Sequence, residues 1–284
     1  MRMTATVLAA ALCTAGGAHA ACMSDADVAA MFDAYTKRQP AANPEGLSAV
    51  DGECSRAKFN KLMQAQMGPP VGYKAGLTNP AVQKRFEHDA PVWGVLYKPM
   101  LLASPATVDA AFGARPLFEA DLLVRVSDES INRAASVDDV LKAIDQVIPF
   151  IELPDLVVQV PAPPKLNGAG ITAINVGARL GVLGAPIAVQ ATPAFSDALR
   201  DFTAVVKGAG AEMDRGKGSD VLGHPLNAVV WLAKDMARAG AAMKKGDLIS
   251  LGSFSKLLPP KPGLAVEVVY EGLPGNPSVA VSFR

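Results

Sequence analysis

The sequence has 284 residues, 27 Lys and Arg against 27 Asp and Glu, half of it hydrophobic, with 25 Gly, 22 Pro and three Cys. A net charge of zero without a basic block excludes the clustered cations that nucleic acid or an anionic membrane surface requires. The apolar half is ample for a folded core and excludes a chain disordered over most of its length.

Residues 1–20 read as an export signal. Arg2 precedes a small apolar run, Thr4 to Gly17, and Ala18-His19-Ala20 puts small residues three and one before the break, predicting cleavage after Ala20. The run is shorter than the roughly 20 apolar residues of a membrane helix. The mature protein is therefore expected in the periplasm or secreted, with no membrane attachment after cleavage. Cleavage removes Arg2, Cys13 and His19, leaving 26 basic against 27 acidic residues. Cys22 and Cys54 are then a candidate disulfide in an oxidising compartment, closing a loop worth on the order of 3 kcal/mol; two separate thiols are the other reading. With only His88 and His224 left and no Cys-x-x-Cys or His-Glu-x-x-His spacing, a zinc site is excluded. Neither a Gly-x-Ser-x-Gly elbow nor a Gly-x-x-x-x-Gly-Lys loop is present.

Along the chain, Ser24 and Asp27 form a capping box ahead of Val28, Met31, Phe32 and Tyr35, predicting a helix over 25–37. A Pro, Asn and Gly-rich loop at 39–47 precedes a second helix over 54–67. These make residues 21–70 an N-terminal helical segment. From 71 to 284 the texture is one mixed, strand-rich domain, with strands at 71–75, 92–97, 118–126, 150–153, 202–206, 247–251, 264–270 and 278–283. Two helices interrupt them. One starts at a Ser136 cap and carries Val140, Leu141, Ile144 and Val147; the other runs from about Pro225 to Ala239, with Gly240 at its exit. His224 at that helix start reads as a capping or packing residue, and Trp93 and Trp231 as core.

The chemistry concentrates in Pro116-Leu-Phe-Glu-Ala-Asp121. Side chains alternate along a strand, so Glu119 and Asp121 share one face, their Cα atoms roughly 6.6 Å apart. Like charges that close invite a cation, and Glu152 in an otherwise apolar strand supplies a third acid. Three oxygen ligands with open positions suit Mg²⁺ or Mn²⁺. A solvated edge strand with a surface acid at 152 is the other reading of the same spacing. Lys74, in Gly72-Tyr-Lys-Ala-Gly-Leu-Thr78, is enclosed by apolar strand and turn, where an ammonium can act as acid, base or carbonyl polariser, or else snorkel to water.

Taken in order, Gly72-Tyr-Lys-Ala-Gly-Leu-Thr78, Pro91-Val-Trp-Gly-Val-Leu-Tyr97, Pro116-Leu-Phe-Glu-Ala-Asp121, Ile151-Glu-Leu-Pro-Asp155, Ile171 to Gly184, Gly223-His-Pro-Leu-Asn-Ala-Val-Val-Trp-Leu232 and Gly246 to Gly263 resemble the 2-oxopent-4-enoate hydratase and 4-oxalocrotonate decarboxylase branch of the fumarylacetoacetate hydrolase superfamily. The resemblance covers most of residues 71–284. It implies a mixed α/β, strand-rich fold, a β-barrel or roll with the helical segment at its N-terminus. It also implies a divalent metal, Mg²⁺ or Mn²⁺, on Glu119, Asp121 and Glu152, with Lys74 beside the substrate and Asn175 and Ser253 positioning its polar groups. The expected activity is a metal-dependent lyase of hydratase type on a small 2-oxo or 2-hydroxydienoate acid, working through a metal-stabilised enolate in a homo-oligomer. Hydrolysis of an acylpyruvate, or a non-catalytic periplasmic protein that keeps the fold and binds an oxo acid, are the alternatives. Three positions depart from the family pattern. Asp121 stands where Glu is usual, Val92 where an Asp assists proton transfer, leaving Asp89 as the substitute, and Ile174 where an Asp often precedes Asn175.

Overall fold

The computed structural model describes residues 22–159 and 165–284, so the predicted leader and its cleavage point lie outside the described residues. Two helices open the fold, α1 (Asp25–Lys37) and α2 (Ala49–Met67). Ser24 caps α1 as predicted, accepting from the Asp27 N–H at 3.1 Å. The second helix starts five residues earlier than predicted, because Ser48 and Asp51 form a reciprocal capping box.

The chain continues through β1 (Pro70–Gly76), α3 (Pro80–Arg85), β2 (Val92–Tyr97), β3 (Leu101–Ala103), β4 (Ala106–Val108) and β5 (Glu119–Val126). Then come α4 (Val137–Lys142), β6 (Ile144–Leu153), α5 (Gly168–Ala173), β7 (Leu180–Leu183), β8 (Ile187–Ala188) and α6 (Pro193–Asp201). Last are β9 (Thr203–Gly208), β10 (Ala211–Lys217), α7 (Asn227–Arg238), β11 (Leu248–Ser250), β12 (Ala265–Glu271) and β13 (Ser278–Phe283). The predicted helix beyond Ser136 is corrected: it ends at Lys142, and Ile144 and Val147 belong to β6. Three further short helices, α3, α5 and α6, stand where strands and turns alone were expected.

Two mixed sheets carry the fold. The larger has eight strands in the order β2-β1-β11-β5-β6-β7-β3, with β8 against β6; the smaller runs β10-β9-β12-β13-β4. Central strands β5 and β6 pair antiparallel and are buried on both faces, so they lack the alternation of a half-exposed strand. The smaller sheet reaches this pair through Tyr270 of β12. Its hydroxyl lies 2.6 Å from the Asp121 carbonyl and 2.8 Å from that of Phe150, and accepts the Phe150 N–H at 3.1 Å.

The N-terminal helices pack on the body rather than standing apart. Gly52 of α2 lies so close to α5 that a Cβ there would meet the Ala169 carbonyl oxygen at 2.6 Å. Arg56 stacks 3.5 Å over the Trp93 ring and donates to the Trp93 carbonyl at 2.6 Å; its burial lowers the guanidinium pKa to about 10. Cys22 and Cys54 are joined, with Cα atoms 5.6 Å apart, tying the start of the described chain to α2. At the entry to α7, His224 Nδ1 accepts the Leu226 N–H at 3.1 Å, the capping part expected of it.

Candidate functional site

Glu119 and Glu152 are direct partners across the β5–β6 ladder, so their side chains leave the same face side by side. Both are buried, and both line a cavity of about 560 Å³ together with Lys74 and Ser253. Like charges directly opposite one another in a sheet repel, and burial adds a desolvation penalty. The Glu119 carboxyl is accordingly held well above the usual carboxylate range, first by burial and then by the Glu152 charge, against the pull of Lys74.

Lys74 enters from β1, which runs parallel to β11 and antiparallel to β2. Its ammonium is buried, pairs with Glu152 and donates to the Val176 carbonyl at 2.9 Å. That carbonyl is aimed by an unusual turn. Asn175 and Val176 both adopt left-handed backbone, φ 56° and 53°. For a β-branched residue this costs on the order of 1–3 kcal/mol. The strain is retained at the segment that fixes the lysine.

Asn175 does not present its amide to the cavity, which corrects the substrate-positioning role expected of it. Its Nδ2 donates to the Val95 carbonyl at 3.0 Å, while its Oδ1 accepts from Val95 N at 2.8 Å and Asn60 Nδ2 at 2.9 Å. The side chain thus extends the edge of β2 and locks the strained turn in place. Asp89 is corrected as well. It is exposed and lies in a separate surface depression with Glu87 and His88, so it cannot stand in for the acid missing at Val92. Val92 and Ile174 are buried and are not among the residues lining the cavity.

The three-acid metal cage is corrected in its second member. Asp121 is fully buried and does not line the cavity. Its Oδ1 accepts the N–H groups of Leu122, Leu251 and Gly252 at 2.6, 3.2 and 3.1 Å, and its Oδ2 accepts the Ser250 hydroxyl at 2.5 Å. The short side chain is held by the loop after β11, whose Gly252 has φ 104° and no room for a Cβ, which would meet Thr78 Oγ1 at 2.3 Å. Burial, and then the Glu152 charge, push the Asp121 carboxyl up despite these bonds. Among the described residues no three His, Cys, Asp or Glu side chains converge as a metal cage. Sequence reasoning missed Ser250, a lone polar residue in Leu248-Ile-Ser-Leu251 that no spacing marks as the partner of an acid on another strand.

Two carboxylates still fit one hard cation. Mg²⁺ is commonly held by one or two carboxylates with its remaining positions left to water and substrate. Here, Glu119 and Glu152 share one wall of the cavity. Both are buried beside a single ammonium, that of Lys74, so the ionised pair lacks one positive charge.

The two mixed sheets have the mixed α/β, strand-rich fold of a solved fumarylacetoacetate hydrolase family protein from Yersinia pestis, with a TM-score of 0.53 at 18% identity over 76% of this chain and 94% of that one. No family model matches the chain. Over 228 residues it is 30% identical to the 2-keto-4-pentenoate hydratase of Paraburkholderia xenovorans, covering 79% of this chain and 81% of that one. It is 28% identical over 204 residues to a 4-oxalocrotonate decarboxylase of Pseudomonas putida, covering 72% and 74%. The solved 4-oxalocrotonate decarboxylase from Pseudomonas putida G7, complexed with magnesium and adipate, superposes with a TM-score of 0.80 at 24% identity, over 92% of this chain and 97% of that one. The chain belongs to the 2-keto-4-pentenoate hydratase family, and is an enzyme of the hydratase and decarboxylase type.

Proposed function

We propose that the protein is an exported lyase of hydratase type acting on a small 2-oxo or 2-hydroxydienoate acid, with Mg²⁺ or Mn²⁺ held by Glu119 and Glu152, in a homo-oligomer. The observation that carries this reading is the buried Lys74–Glu152 pair beside Glu119 on the inner wall of one cavity. The Cys22–Cys54 bond supports an oxidising compartment. The names of the related hydratases and decarboxylases support the substrate class.

When bound, the ion would draw electron density from the substrate's carboxylate and neighbouring oxygen. The other parts belong to the chain. Lys74 Nζ is the cationic donor of the inner wall; it orients the 2-oxygen by hydrogen bonding and exchanges a proton there as that oxygen gains or loses charge. The Val176 carbonyl and Glu152 keep the ammonium in register. Ser253 Oγ, bonded to Ser255 and close enough to Glu119 to favour its ionised form, steadies that carboxylate. Leu77, Val82, Phe86 and Ile171 give the cavity apolar walls that restrict water to the polar end.

The test is an ultraviolet assay following loss of 2-hydroxypenta-2,4-dienoate with Mg²⁺ present. Turnover is expected, reduced at least 100-fold in Lys74→Met, the usual scale for losing a positioned acid–base group. Absence of turnover by the wild type, or turnover indifferent to Lys74→Met, would overturn the proposal.

A further inference from the structure

The buried polar residues of the cavity wall are Lys74, Thr78, Glu119 and Glu152. All but one are engaged: Lys74 pairs with Glu152, and Ser253 lies against Glu119. The Thr78 hydroxyl makes no hydrogen bond among the described residues, although the residue is only 4% exposed. A hydroxyl sealed in the interior in that state would be an orphan; this one is not sealed, and it opens into the cavity.

Two neighbours fix its place. Thr78 follows β1 by two residues, directly after Leu77, whose backbone is left-handed at φ 52°. A Cβ on Gly252 would meet Thr78 Oγ1 at 2.3 Å and Thr78 Cβ at 3.1 Å, so the side chain packs on Gly252, next to Ser253. Threonine is stiff at χ1, and this contact holds its hydroxyl on the Glu119 side of the cavity. The serine hydroxyls of the same wall have their protons committed. Ser253 Oγ donates to the Ser255 carbonyl at 2.6 Å, and Ser255 Oγ to the Lys256 carbonyl at 3.3 Å. Glu119 and Glu152, when ionised, only accept hydrogen bonds and repel another carboxylate. Lys74 is taken up by Glu152 and the Val176 carbonyl. The neutral hydroxyl of Thr78 is the donor left at this end.

We infer that Thr78 is a substrate-binding residue whose hydroxyl donates a hydrogen bond to the carboxylate of the bound 2-oxo acid. This rests on the 2-oxo acid reading of the cavity, in which Lys74 serves the 2-oxygen and leaves the adjoining carboxylate in need of a donor. A neutral hydroxyl beside two acids holds that carboxylate without adding a charge that would compete for them. The carboxylate keeps its charge while the carbon chain reacts, so the bond is as strong in the bound substrate as in the transition state. Thr78 therefore contributes to binding, where Lys74 contributes to the chemical step.

The test compares wild type, Thr78→Val and Thr78→Ser in two measurements with Mg²⁺ present: steady-state turnover of 2-hydroxypenta-2,4-dienoate, and calorimetric titration with 2-oxopentanoate. Thr78→Val keeps the shape and removes the hydroxyl; KM and the 2-oxopentanoate Kd are expected to rise about ten-fold, with kcat within about two-fold of wild type. Thr78→Ser keeps the hydroxyl and loses the methyl, and is expected within about three-fold of wild type in all three quantities. Circular dichroism verifies folding, and if Thr78→Val does not fold, Thr78→Ala against Thr78→Ser carries the same comparison. Unchanged KM and Kd in Thr78→Val, a fall in kcat larger than the rise in KM, or equal losses in Thr78→Val and Thr78→Ser overturn the role of Thr78 while leaving the 2-oxo acid reading standing. Wild-type protein that neither turns over the dienoate nor binds 2-oxopentanoate overturns that reading and this inference with it.

Discussion

Asp121 separates a structural acid from a metal ligand, and two substitutions distinguish them. Its carboxyl accepts four hydrogen bonds, three from backbone N–H groups and one from Ser250. Alanine leaves three of the four buried donors without an acceptor, at about 1 kcal/mol or more each, since the Leu251 N–H also donates to the Leu122 carbonyl at 3.0 Å. The loss of about 3 kcal/mol lowers Tm by roughly 7 °C in a chain of this size. Asparagine keeps an amide oxygen for the three N–H groups and turns its amino group toward the Ser250 hydroxyl oxygen, so Asp121→Asn is expected to cost about 1 kcal/mol or less. Because Asp121 does not reach the cavity, Mg²⁺ affinity in Asp121→Asn is expected within about three-fold of wild type, a shift of well under 1 kcal/mol. Thermal unfolding and calorimetry read the two quantities separately. Loss of Mg²⁺ binding in Asp121→Asn, or equal stability of the two variants, would refute the structural assignment.

Two further outcomes follow from the same geometry. Glu119 and Asp121 both titrate above their ordinary values in the folded chain, so the folded state keeps protons that the unfolded state releases. Their contribution to stability is complete below the usual carboxylate range and is lost as pH rises through the raised pKa values. Metal-free protein is therefore expected to melt at a lower temperature at pH 8 than at pH 5 and to recover with added Mg²⁺; a flat profile in thermal scans with chelator would contradict the burial argument. Opening the Cys22–Cys54 bond by Cys54→Ser frees a loop of 32 residues and should cost about 3 kcal/mol, read as a shift in the urea midpoint. An unchanged midpoint would show that the bond does not constrain the unfolded chain.

Much of this architecture was legible in the sequence, and the exceptions have identifiable causes. The strand over Val92–Tyr97 and the helix over Asp25–Lys37 match their predicted bounds, because a capping box and a short apolar run between turn residues are local signals. The helix expected through Val147 fails because Ile144 and Val147 open β6. They stand three apart with exposed Asp145 and half-buried Gln146 between them, a spacing that mimics a helix face and lacks strand alternation. Helices α3 and α6 did carry signals, Asn79-Pro80 and Thr192-Pro193, a cap followed by proline at the first turn. In the site, Glu119, Glu152 and Lys74 meet because strand register brings them together. The fate of Asp121 depends on a hydroxyl 129 residues away, that of Asn175 on the edge of β2, and that of Asp89 on which side of α3 the chain leaves it. None of those distances is written in residue spacing.

The most direct test of the two-carboxylate centre is calorimetric titration of the purified protein with Mg²⁺ and Mn²⁺, comparing wild type with the Glu119→Gln, Glu152→Gln double variant. The structure predicts one ion per chain in the wild type and none in the double variant, with folding of the variant verified by circular dichroism because Glu152→Gln leaves the buried Lys74 ammonium without its ion-pair partner. Wild-type protein that takes up no ion, or a double variant that binds it unchanged, would contradict the account.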